Sequence, residues 1–129
     1  EGPAMGKFVI YRKNSGYDFH LKAANGETIG TSEIYTKKDA CVDGIESVIR
    51  CAEAAEIEDQ TVRGYLAQKN PKFEIYQDQK GGYCFRLLET SGQIILESQA
   101  YTAKASCRNG IRSVKVNAPS AEVEMDEIQ

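Results

Sequence analysis

"SEIYTKKDACVDGIESV", Ser32–Val48, returns later in the chain as "SQAYTAKASCRNGIRSV", Ser98–Val114, with Tyr-Thr, Cys, Gly-Ile and Ser-Val at the same spacing. The likeness extends outward in both directions. "KFVIY" from Lys7 returns as "KFEIY" from Lys72, "GYDFHLKAANGETI" from Gly16 as "GYCFRLLETSGQII" from Gly82, and "AEIE" from Ala55 as "AEVE" from Ala121. Two copies of one unit of about 65 residues fill nearly the whole chain, so the repeat governs the fold.

Within a copy, Phe8 and Ile10 alternate with Lys7, Val9 and Tyr11, and Tyr17, Phe19 and Leu21 repeat the alternation. Period two marks strands with one buried face. Asn14, Ser15 and Gly16, like Lys80, Gly81 and Gly82, supply the turn of a hairpin. Asn25 and Gly26 suit a tight primed turn with positive φ, leading into a third strand over Thr28–Ser32. The period then changes. Cys41, Gly44, Ile45, Val48 and Ala52 carry the spacing of one helix face, and Cys107, Gly110, Ile111 and Val114 repeat it. Thr36 and Thr102 stand where N-caps belong, with Asp39 completing a capping box, so helices are expected from near Lys37 and Ala103. Each "AEIE"-like run reads as a short closing strand, its acids Glu56, Glu58, Glu122 and Glu124 on the solvated side.

A three-stranded sheet with one helix leaves edges and apolar surface unpaired, whereas two such units cover each other. The expectation is one domain over residues 6–129: repeat 1 over 6–60, a polar Gly/Pro-punctuated linker over 61–71, and repeat 2 over 72–126. Residues 1–5, "EGPAM", read as a cloning remnant or disordered lead-in, outside the fold.

"GYDFHLKAANGETIGTSEIYTKKDACVDGIESV" and "GGYCFRLLETSGQIILESQAYTAKASCRNGIRSV" resemble the YegP-like proteins, small bacterial proteins built of one or two copies of this unit. The resemblance covers nearly the whole chain. It implies an α+β fold of two tandem β(3)-α-β repeats forming one pseudo-twofold domain, with a single antiparallel sheet, exchanged last strands and two helices on one face. Single-copy members would close the fold as homodimers, and a double-copy chain would do so as a monomer, an intramolecular pseudo-dimer. The second copy departs from the family pattern at "LLETSGQ" and in its helix, which carries Arg108 and Arg112. No activity comes with the resemblance, so no catalytic residue is carried over.

Composition narrows the function classes. The 129 residues carry 16 Lys and Arg against 19 Asp and Glu, a net charge of -3 that offers no general attraction to nucleic acid or an anionic membrane. No apolar run is long enough to span a bilayer, and a soluble, cytoplasmic protein is expected. Cys41, Cys51, Cys84 and Cys107 lack the spacing of a zinc site and the density of a disulfide scaffold, so reduced thiols are expected. With His20 as the only histidine and no Gly-rich phosphate loop, no metal, cofactor or catalytic group is predicted.

The candidate sites are therefore surfaces and one thiol. Gly44 and Gly110, mid-helix, are read as admitting close approach of the sheet or the partner helix, and Cys41 and Cys107 as core packing. Cys84 falls on the strand face opposite Tyr83 and Phe85 and is the candidate accessible, reactive thiol. The sheet face away from the helices should carry Lys7, Tyr11, Asp18, His20, Lys22, Lys72, Tyr76, Arg86 and Leu88. Of these, Tyr11, His20, Lys22, Tyr76 and Arg86 form the candidate binding surface. Aromatics interleaved with cations suit a protein or peptide partner, or single-stranded nucleic acid. The leading expectation is a non-enzymatic binding or interaction module, with nucleic-acid binding and Cys84 redox chemistry as alternatives.

Overall fold

The alternating runs form strands and the three-and-four runs form helices, in the expected order twice over. The computed structural model describes residues 5–126, so residues 1–4 of the expected lead-in lie outside the described residues. Repeat 1 contributes β1 (Lys7–Lys13), β2 (Gly16–Lys22), β3 (Thr28–Thr31), α1 (Lys38–Ala54) and β4 (Glu56–Asp59). Repeat 2 contributes β5 (Lys72–Gln77), β6 (Tyr83–Leu88), β7 (Ile94–Glu97), α2 (Lys104–Asn117), a 3₁₀ turn at Ala118–Ser120 and β8 (Glu122–Met125).

All eight strands join one sheet in the order β4-β5-β6-β7-β3-β2-β1-β8. The repeats meet at its centre, where Thr31 of β3 pairs with Glu97 of β7. The last strands are exchanged: β4 lies beside β5 of the other repeat, and β8 beside β1. Both exchanged strands run parallel to their neighbours, so the sheet is mixed and not antiparallel throughout. Helix geometry explains the direction. The 17 residues of α1 span about 25 Å at 1.5 Å per residue, enough to cross the roughly 19 Å from β3 to the far edge. Packed across β2, β5, β6 and β7, α1 delivers the chain near the strand end that it left. β4 therefore runs opposite to β3, which is the direction of β5.

Both helices pack on one face, and a single apolar cluster lies between them and the sheet. Phe8 and Phe19 meet edge to face with ring centroids 5.7 Å apart, and Phe73 and Phe85 repeat the contact at 5.9 Å. Cys41, Cys51 and Cys107 are buried in this cluster as free thiols. The mid-helix glycines admit aromatic side chains: a Cβ on Gly44 would stand 2.5 Å from the Tyr35 hydroxyl oxygen, and one on Gly110 2.6 Å from that of Tyr101. The Tyr of each Tyr-Thr motif and the Gly of each Gly-Ile motif are thus two sides of one contact.

Two local expectations are corrected. Neither threonine caps a helix: the N-cap positions are Lys37 and Ala103, both extended and without a side-chain capping bond. Tyr35 exchanges backbone hydrogen bonds of 2.7 Å with Tyr17, and this bridge holds the chain extended past Thr36. Gly16 serves the same bridge, because a Cβ there would stand 2.0 Å from the Tyr35 carbonyl oxygen. At Asn25-Gly26 only the glycine takes positive φ, at 88°. Asn25 Oδ1 instead accepts from the Glu27 amide at 2.9 Å, which gives a longer bulged hairpin in place of the two-residue primed turn.

Of the closing-strand acids, Glu56, Glu122 and Glu124 are exposed as expected, and Glu58 departs from the solvated row. Glu58 is 2 % exposed. Its carboxylate accepts from Gln60 Nε2 at 2.6 Å, the Gln68 amide at 2.8 Å and Lys72 Nζ at 2.8 Å, so the 61–71 linker is tied down beside it. Asp59 binds Lys104 Nζ at 2.9 Å and Arg108 at 3.2 Å, joining repeat 1's last strand to repeat 2's helix. The corresponding positions in the other half are Met125 and Val42, both packed on the core. Arg108, a departure in the sequence pattern, is therefore matched to the acid that the exchange brings to it.

Candidate functional site

Strand pairing places one straight row of side chains across the uncovered face. In register it runs Glu58, Glu74, Arg86, Glu97, Thr31, His20, Val9 and Glu124. The repeat 2 half is charged strand after strand. The repeat 1 half carries His20 and Val9 before ending at Glu124.

In the repeat 2 half, Glu58, Lys72, Glu74 and Arg86 pair with one another, beside an exposed Glu97. Lys72 Nζ lies 2.8 Å from Glu58 Oε1 and 3.3 Å from Glu74 Oε2. Arg86 Nε donates to Glu74 Oε1 at 2.6 Å, and its guanidinium sits 4.3 Å from the Tyr76 ring centroid. Burial pushes the Glu58 carboxyl up, but the donors from Lys72, Gln60 and Gln68 outweigh it and hold the pKa down to about 2. The same pairing with Glu58 raises Lys72 above the usual lysine value. Tyr76 and Arg86 are brought together as expected, but within a closed network.

Repeat 1 leaves its cations less committed. Tyr11 and His20 pack with ring centroids 4.5 Å apart. Lys13 Nζ and Lys22 Nζ stand 5.6 and 5.5 Å from the Tyr11 centroid. Lys13 approaches Asp18 only to 4.0 Å, and Lys22 forms no ion pair among the described residues. His20 Nε2 lies 3.7 Å from Asp18 Oδ2. Burial lowers the His20 pKa, Lys13 and Lys22 push the same way, and Asp18 opposes them. Asp18 is 8 % exposed, and its Oδ1 has no hydrogen-bond partner among the described residues.

Tyr11, His20 and Lys22 thus form one cluster, and Tyr76 with Arg86 another. With β1 and β5 five strands apart in the sheet order, their tyrosines are separated by about 24 Å at 4.8 Å per strand. Lys13 belongs to the first cluster although a strand ending at "KFVIY" omits it. Its position two residues after Tyr11 is the signal that places it on this face.

Cys84 does not meet the expectation of an accessible thiol. It is 6 % exposed, and burial, with Asp78 adding to it, raises its pKa above the ordinary thiol value. Cys84 sits directly across from Tyr76 on the neighbouring strand, which shields it. Both effects oppose thiolate chemistry at neutral pH.

Residues 13–59 and 78–124 each match the family described as Domain of unknown function (DUF1508). The chain is 36% identical over 116 residues to a UPF0339 protein of Pseudomonas aeruginosa, covering 89% of this chain and 92% of that one. A UPF0339 protein of Methanosarcina acetivorans is 52% identical over 52 residues, 40% of this chain but 90% of that protein, so a single unit accounts for nearly all of it. The solution structure of the Escherichia coli protein of unknown function yegP superposes with a TM-score of 0.78 at 32% identity, covering 98% of this chain and 97% of that one.

Proposed function

Because the chain belongs to the DUF1508 family, whose description assigns no function, we propose that it is a small non-enzymatic binding module that meets its partner through repeat 1's half of the uncovered sheet face. The observation that carries this reading is the contrast between the halves. Around Tyr11, two ammonium groups and His20 surround one aromatic ring with little internal neutralisation. Around Tyr76, the corresponding charges bind each other. Weakly paired cations beside an aromatic ring are available to a partner at little desolvation cost, whereas breaking the Lys72–Glu74–Arg86 network would strand buried charge.

The two alternatives rank lower. Single-stranded nucleic acid could stack a base on Tyr11 between Lys13 and Lys22. Asp18 and Glu124 on the same face, with Tyr76 engaged by Arg86, weigh against a continuous phosphate track. Redox chemistry at Cys84 is opposed by its burial and raised pKa. No helix among the described residues is long and apolar enough to cross a membrane. Four free, buried cysteines fit a reducing, cytoplasmic setting. We take the working form to be a monomer, since the strand exchange is completed within one chain.

The reading is tested by affinity capture from cell extract on immobilised wild-type chain and on a Tyr11→Ala/Lys22→Glu variant matched for thermal unfolding. The expected result is a component retained by the first and lost by the second. Equal retention on both, or none on either, overturns the proposal.

A further inference from the structure

In repeat 2 the chain itself covers the outer end of the uncovered face. Between the end of β4 and the start of β5, the Gln68 amide and Gln60 Nε2 donate to Glu58 at 2.8 and 2.6 Å. Asn70 Nδ2 lies 3.5 Å from where a Cβ on Gly92 would stand, so the linker passes from the turn after β6 to the end of β4. Beneath it the Lys72 and Glu58 side chains keep 14 % and 2 % exposure. The repeat puts Lys7 in the place of Lys72, Gly26 in that of Gly92 and Glu124 in that of Glu58, and β8 pairs with β1 as β4 pairs with β5. There the cover is missing among the described residues. An open groove of about 520 Å³ runs between Gly26 and Glu124, past Tyr11 and Lys22. Lys7 reaches Glu124 at 3.1 Å with both side chains 46 % exposed, and a Cβ on Gly26 would meet nothing within 4 Å.

We propose that this groove is an unfilled linker seat, which takes an extended, uncharged segment of a partner protein that donates a backbone N–H and a side-chain carboxamide to Glu124, as Gln68 and Gln60 do to Glu58. It rests on the reading that repeat 1's half of the face is the binding surface. Charge selects neither sign, because Glu124 and Asp126 line the groove together with Lys7 and Lys22. Hydrogen bonding makes the selection. A carboxylate with one lysine partner has acceptor capacity left, and Glu58 shows that two amide donors fit beside the lysine. Covering the pair excludes water and strengthens each of these bonds. An acidic segment would set a carboxylate against Glu124, and a nucleic-acid backbone would bring phosphates without N–H donors.

The test is a titration of the full ¹⁵N-labelled chain, followed by amide chemical shifts. The probe is a capped peptide with the linker's own sequence, residues 60–71, carrying Arg63→Ser and Lys69→Ser. The same peptide N-methylated at the residue 68 amide, and one carrying Gln60→Glu and Gln68→Glu, serve as the other arms. The first peptide is expected to shift residues 7, 26, 124 and 126 saturably. Its affinity should fall about tenfold in a Glu124→Ala chain, as should that of the N-methylated peptide for wild type, the size of one hydrogen bond to a charged group. The glutamate peptide is expected to leave those resonances unmoved. An unchanged spectrum with the first peptide, equal affinity in Glu124→Ala, or equal binding of the glutamate peptide each overturns the proposal. Shifts of the same residues that grow with protein concentration alone would assign the groove to a second copy and overturn it as well. If the first peptide fails while extract capture still depends on Tyr11 and Lys22, the segment class falls and the binding-module reading stands.

Discussion

Replacing Glu58 with glutamine should cost stability at neutral pH and almost nothing near pH 2. The carboxylate is 2 % exposed and accepts three hydrogen bonds, one from a lysine. Its folded pKa of about 2 lies below the ordinary value of 4.5. A depressed carboxylate contributes stability that is fully present above the unfolded pKa and is lost as pH falls through the folded one. The window therefore runs from about pH 5 down to about pH 2. A shift of roughly 2.5 units has a ceiling of about 3.4 kcal/mol at 1.36 kcal/mol per unit. The group lies just under the linker, at the sheet edge, and solvent screening brings the expected contribution to about 2 kcal/mol. Urea unfolding of wild type and Glu58→Gln at pH 7, 5, 3.5 and 2.5, with the m-values compared, measures it. The variant should be less stable by about 2 kcal/mol at pH 7, and the two curves should converge toward pH 2. Asp59, also held to about 2 because donors from Thr61 and Lys104 outweigh its burial, leaves a residual acid slope in both proteins. A difference below about 0.5 kcal/mol at pH 7, or one that persists unchanged at pH 2.5, would refute the reasoning.

Three further outcomes follow from packing. Gly44→Val should destabilise the fold by about 2 kcal/mol or more, since Tyr35 occupies the new side chain's place; a raised urea midpoint would contradict the contact. In the folded chain, all four thiols should react with a thiol reagent at neutral pH only as fast as the protein opens, because all four are buried. A fast-reacting fraction assigned to Cys84 by mass spectrometry would restore the redox reading. The isolated first repeat, residues 6–60, should be either dimeric or unfolded by light scattering and circular dichroism, since β4 pairs with a strand that this piece lacks. A stable monomer would break the exchange argument.

Much of the fold was legible because the chain states its pattern twice. The period-two and three-and-four runs in both copies correspond to the observed strands and helices, and the helix stripes from Cys41 and Cys107 are the buried ones. The helix starts fell within a residue of their expected places, but the threonine caps were misread because a threonine in the right place cannot show that a Tyr17–Tyr35 bridge extends the chain past it. Half of the candidate surface was legible in the same way. Alternation put Tyr11, His20 and Lys22 on one face, and cross-strand pairing brought them together. Arg86 and Glu74 oppose each other within the β5–β6 hairpin, but alternation alone could not reveal that Lys72 is also consumed by Glu58, because β4 arrives beside β5 only through the exchange.

The sequence by itself determined the unit, its duplication and which face of each element is apolar, since those follow from local spacing of side chains along the backbone. It also held both sides of the Tyr35–Gly44 contact. Only the tertiary structure decided that the exchanged strands run parallel, that Cys84 is covered, and that one half of the open face is neutralised while the other keeps its cations. Those properties depend on which strands become neighbours, and a carboxylate's charge is felt by its spatial neighbours whatever their distance along the chain.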